Sequence, residues 1–181
     1  MSLIAGNLGV VQRILDGQKM IWGVCAGAAA HLYGDRRPIQ DIDILVGPGQ
    51  LPTVVNLLLQ QQKAVQFDGT RILWRGIKIF SDLSVKRNGT VHPFVLDAAM
   101  TARLRRLPLL GATVAVLSPE DVLLHKVLLS RGAEQGKSDL VDAIGIAKRH
   151  QMDHDYLRER MEAMHTNGPT ITALAQLGIV L

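Results

Sequence analysis

Apolar residues recur at Ile4, Leu8, Val11 and Leu15, a spacing that predicts an opening amphipathic helix closed by Gly17. A short apolar run over 20–25 predicts a strand, and the alanine-rich stretch 27–33 a helix ending near Gly34. Residues 39–46 predict a second strand, and Leu51, Val54, Val55 and Leu58 a helix with Pro52 near its start. The period then shortens to two. Asp68-Gly69 and Asn88-Gly89 are two-residue hairpin signals, and they flank strands expected over 64–67, 70–74, 77–85 and 91–96. A last strand is expected over 113–117. From there the pattern is helical. Ser118 as N-cap, Pro119 in first position and Asp121 in third start one helix. Ser138 caps another, with Leu140, Ile144 and Ala147 as its expected inner face. Leu157, Met161 and Met164 stripe a third, and Gly168-Pro169 precedes a short last helix. The order of elements implies an α/β (α+β) fold. A mixed twisted sheet with flanking helices spans 1–117, and a helical segment, 118–181, packs on it and closes one wall of a cleft.

Composition narrows the class. Aromatics are only 4% of 181 residues, so the core must be built from Leu, Val, Ile and Ala. No apolar run approaches 18 residues and no signal-peptide pattern is present, so no membrane partner is expected. With a single cysteine, a reducing cytoplasm is the expected location. The net charge of +4 suits an anionic ligand such as a nucleotide or RNA, although the basic residues are scattered and not interleaved with aromatics.

Chemistry concentrates in GVCAGAAAHLYGDRRPIQDIDILV, residues 23–46. Asp41 and Asp43 are one residue apart in an apolar run, so a strand directs both carboxylates to one face and Ile42 and Ile44 to the other. A hard divalent cation, Mg²⁺ or Mn²⁺, would relieve their repulsion and keep positions open for phosphate oxygens. Ala26-Gly27 opens a helix with small residues, which suits either a phosphate on bare amides or close helix–sheet packing. Cys25 reads as a buried, inert thiol, and the six histidines show no metal-ligand spacing.

These residues resemble the signature of the DNA-polymerase-beta-type nucleotidyltransferase superfamily: a Gly-Gly or Gly-Ser pair before a helix, then an acid–aliphatic–acid strand. Arg37, four residues before the first acid, makes the run similar to the abortive-infection-toxin-like branch of small bacterial members. A second block, SPEDVLLHKVLLSR followed by KSDLVDAIGIAKRH, resembles the same branch in Lys126 and Asp139. The resemblance implies transfer of an NMP from an NTP to a hydroxyl, with Mg²⁺ and a tRNA, protein or small-molecule acceptor. It implies Asp41, Asp43 and a third acid as catalytic metal ligands, and Ala26, Gly27, Arg37 and Lys126 around the phosphates. Arg37 could pair with Asp41 or a triphosphate or, as a loop residue, meet only solvent; Lys126 could extend its stem to water, and Asp139 has no derived task. Three positions depart from the pattern: Gly27 lacks a following hydroxyl residue, Ile39 stands where Ser or Thr is usual, and Phe80 stands at the third-acid position. Asp82, two residues on, is the substitute expected on the same face. The departures leave a second reading open, a nucleotide-binding scaffold acting through a partner, related to toxin–antitoxin systems. A nucleic-acid-binding protein using only its basic surface is a third.

Overall fold

A computed structural model of the chain describes residues 3–34, 36–166 and 168–181. Helix α1 (Leu3–Gly17) leads into β1 (Trp22–Cys25), α2 (Ala26–Tyr33), β2 (Ile42–Val46) and α3 (Leu51–Gln61). Strands β3 (Gln66–Phe67), β4 (Arg71–Trp74) and β5 (Ile77–Phe80) follow, then a hairpin of β6 (Val85–Arg87) and β7 (Thr90–His92). After α4 (Ala98–Ala102) come β8 (Arg105–Leu109) and β9 (Ala112–Val116). The chain finishes with α5 (Pro119–Leu129), α6 (Asp139–Arg149), α7 (His154–Ala163) and α8 (Gly168–Gln176).

Seven strands form one mixed sheet in the order β3-β4-β5-β2-β1-β9-β8. At its centre β2 runs antiparallel to β1, with Asp43 opposite Cys25, and parallel to β5, with Asp43 opposite Lys78. Ile42 and Ile44 are fully buried while Asp43 between them is half-buried, which is the predicted alternation. The strand begins at Ile42 rather than residue 39, so Asp41 lies on the extended segment just before it. One apolar cluster runs from Leu8 to Ile179, so the C-terminal helices share the core of the sheet. Among the described residues no helix is long and apolar enough to cross a membrane.

Helix α5 is the spine of the helical half. Every residue from Pro119 to Leu128 is buried, and α2, α6, α7 and α8 pack around it. A helix buried on all sides must pair its polar groups. Ser118 caps it by accepting from the Asp121 amide, as expected. Asp121 also accepts from the Ser118 and Tyr156 hydroxyls at 2.8 and 2.9 Å and lies 3.0 Å from Arg160 Nε.

Several further expectations give way to the structure, and the strands expected over 64–67 and 91–96 shorten to Gln66–Phe67 and Thr90–His92. The strand expected over 77–85 is two strands: the chain bends at Ser81, and Val85 begins the separate β6–β7 hairpin, turned by Asn88 and Gly89 at φ 50° and 81°. Asp82 therefore lies past the sheet rather than on it. Strand β8 was not expected, because Pro108 is a poor strand residue; an edge position, where Pro loses no ladder bond, tolerates it. The inner face of α6 is Asp139, Asp142, Ala143 and Ile146 rather than Leu140 and Ile144, which are 45% and 41% exposed. Ser138 holds the N-cap position but makes no side-chain cap bond.

Candidate active site

The central strands floor a cleft of about 750 Å³. Asp43 enters it from β2, Asp41 from the extended segment just before that strand, and Lys78 and Phe80 from β5. The two acids share a face because of their i, i+2 spacing. Burial and the neighbouring Asp41 push the Asp43 carboxyl up to about 6. Among the described residues no hydrogen bond or ion pair reaches the Asp43 carboxylate. Asp41 is matched by Lys78, whose Nζ donates to Asp41 Oδ2, and that bond raises the lysine above its ordinary value.

Ala26 turns the chain from β1 into α2 at φ 49°, a left-handed conformation that costs a non-glycine residue about 1 kcal/mol. Gly27, in the first turn of α2, lines the cleft. A Cβ at Gly27 would stand 3.1 Å from Arg37 Nη2, so the missing side chain makes room for the guanidinium. Arg37 does not pair with Asp41. It grips Asp142 with two bonds, Nε to Oδ1 at 2.8 Å and Nη2 to Oδ2 at 2.9 Å.

Asp142 belongs to a buried ion network. Lys126 on α5 lies 2.7 Å from Asp139 and 2.8 Å from Asp142, and Arg131 reaches Asp139 at 2.6 Å. Lys126 is buried, so its ammonium does not extend to bulk water. Burial works to raise the Asp139 carboxyl, and bonds from Arg131 and Lys126 outweigh it, leaving it below its ordinary value. Two acids between three cations leave the network one positive charge in excess, beside the cleft.

All eight residues singled out from the sequence line this cleft: Ala26, Gly27, Arg37, Asp41, Asp43, Asp82, Lys126 and Asp139. They do not form one cluster. Asp82 is exposed and its Oδ1 accepts from the Ser84 amide at 2.7 Å. Among the described residues no third His, Cys, Asp or Glu joins Asp41 and Asp43 around one point. The sequence reasoning missed Lys78, Asp142, Lys86, Arg131, Lys137 and His125. The Asp139–Asp142 spacing of one helical turn was a signal for a shared face. His125 is held low, at about 4, by burial; its Nε2–H donates to the Leu83 carbonyl at 3.2 Å and its ring stacks on Phe94.

No family profile matches the chain, and no curated protein sequence does. Solved structures match over most of its length. A nucleotidyltransferase-like antigenic protein from Paracoccidioides brasiliensis aligns with a TM-score of 0.55 at 18% identity, covering 98% of this chain and 94% of its own. ANT(2″)-Ia, solved in complex with adenylyl-2″-tobramycin, aligns at 0.56 and 10% identity, covering 98% of each chain. The chain has the nucleotidyltransferase fold. A candidate nucleotidyltransferase from Thermotoga maritima aligns at 0.53 and 20% identity, over 71% of this chain and 86% of its own. In the nucleotidyltransferase fold of this chain, the acid–aliphatic–acid strand is the central β2 and the small-residue helix is its neighbour α2.

Proposed function

We propose that the protein is a nucleotidyltransferase that binds an NTP with Mg²⁺ or Mn²⁺ in this cleft and moves its NMP to a hydroxyl acceptor. The observation that carries the reading is Asp43, a half-buried carboxylate with no hydrogen-bond partner among the described residues, next to Asp41 in a cleft that also contains the start of α2. Two neighbouring acids, one of them matched by the partly exposed Lys78, fit one hard divalent cation. Asp41 and Asp43 would hold it, and when bound it neutralises phosphate charge and polarises the phosphoryl group. The amides of Ala26 and Gly27, at the positive end of α2, receive phosphate oxygens. Lys86 and Lys137, on the cleft wall, add to the field. Arg37 and Lys126 are committed to Asp142 and Asp139, so they act on the phosphates through their charge and hold the wall in shape. Asp139 keeps Lys126 and Arg131 in position. Asp82, the exposed acid, keeps Oδ2 open for the proton of the acceptor hydroxyl as oxygen attacks the α-phosphorus and pyrophosphate leaves.

Resemblance to the toxin-like branch makes tRNA and protein the acceptors to test first, in a cytoplasmic setting; adenylyl-2″-tobramycin in a fold neighbour adds small hydroxylated molecules. Incubating the protein with each α-labelled NTP, Mg²⁺ and total RNA, protein or small acceptors tests the reading. Label moves to one class of acceptor and is lost in Asp41→Asn/Asp43→Asn. Nucleotide bound without any transfer replaces the enzyme with the scaffold.

A further inference from the structure

Strand β5 offers two side chains to the cleft beside the acid pair, Lys78 and Phe80, and neither is an acid. Lys78 stands opposite Asp43 in the parallel register of β2 and β5, and its ammonium binds Asp41. The pair is 35% and 39% exposed, so it sits at the cleft surface rather than sealed beneath it. Beyond Phe80 the chain bends away, and Asp82 turns an oxygen to the Ser84 amide. The acid side of the cleft therefore carries two negative charges and one fixed positive charge. That balance suits a single divalent cation; a second would face an ammonium where a third carboxylate is needed.

We propose that Lys78 takes the place of a second metal: the cleft holds one divalent cation per nucleotide, and the Lys78 ammonium becomes a ligand of the nucleotide's phosphates. The inference rests on the nucleotide-binding reading. In the empty cleft Lys78 competes with a cation for Asp41. When cation and nucleotide arrive together, the cation takes Asp41 and the lysine's flexible four-carbon stem carries its charge onto a phosphate oxygen. Metal and nucleotide binding are thereby coupled, each favouring the other.

Mn²⁺ titrations read by electron paramagnetic resonance, with and without a non-hydrolysable α,β-methylene NTP, test this. Wild type takes one Mn²⁺ per bound nucleotide. Lys78→Ala binds Mn²⁺ alone more tightly by up to about fivefold, the size of an exposed ion pair, and binds the Mn²⁺–nucleotide complex more weakly by a similar factor. Lys78→Arg keeps the charge and the single Mn²⁺. Opposite signs for metal and nucleotide separate this role from a structural one, which would weaken both. Two Mn²⁺ per nucleotide in wild type overturns the inference and leaves the nucleotide site standing. So does a Lys78→Ala protein, folded by circular dichroism, whose affinity for Mn²⁺ alone is unchanged or weaker. Absence of any nucleotide or Mn²⁺ binding overturns both readings together.

Discussion

Asp43→Asn is expected to stabilise the protein while removing its proposed function. The carboxyl starts from an ordinary value of 3.8 and stands at about 6 in the fold. At about 1.4 kcal/mol per unit, keeping it ionised in the cleft costs on the order of 3 kcal/mol at neutral pH. Below about pH 4 the group is protonated in folded and unfolded chains alike, and the cost is absent. Between about 4 and 6 the unfolded chain loses its proton first, so this group removes stability as pH rises. Above 6 the full cost applies. Asn keeps the shape and removes the charge. In metal-free buffer at pH 7.5, Asp43→Asn should gain about 2–3 kcal/mol by urea denaturation and roughly 5–10 °C in Tm. The gain should shrink toward zero at pH 4. Adding Mg²⁺ should raise wild type alone and narrow the gap, since only wild type keeps both ligands. A variant as stable as wild type or less stable at pH 7.5, or a gain of equal size at pH 4, would refute the reasoning.

Asp121 is also pushed up to about 6 by burial, yet Asp121→Asn should destabilise by about 3 kcal/mol in urea. Its carboxylate faces buried Arg160 and accepts from Ser118 and Tyr156, so removing the charge leaves a buried guanidinium under-compensated. Asp142→Ala should cost about 3 kcal/mol or more by thermal melting, because Arg37 loses both bonds and buried Lys126 keeps only Asp139. Ala26→Gly should stabilise by about 0.5–1 kcal/mol in the same assay, since glycine takes the φ of 49° without strain.

The acid pair was legible because its signal is local: a period of two inside an apolar run needs no knowledge of distant residues. The same holds for the start of α5, where Ser118, Pro119 and Asp121 carry the capping chemistry within one turn. The α6 face was misread for the opposite reason. Asp139 and Asp142 are buried because Lys126 lies 13 positions away in the chain and Arg37 lies 105 positions away. Without those partners, hydrophobic periodicity favours Leu140 and Ile144 inward. The role of Lys78 likewise depends on β5 docking parallel to β2, which brings it to Asp41 from 37 positions away. The break after Phe80 has no Gly or Pro to announce it; Ser81-Asp82-Leu83-Ser84 carries the chain out of the sheet.

Calorimetric titration of each NTP into wild type and into Asp41→Asn/Asp43→Asn, with Mg²⁺ and with EDTA, tests the central claim most directly. The account predicts binding by wild type that depends on Mg²⁺ and is lost in the folded double variant. Equal nucleotide affinity with and without Mg²⁺, or equal affinity of the two proteins, would contradict it.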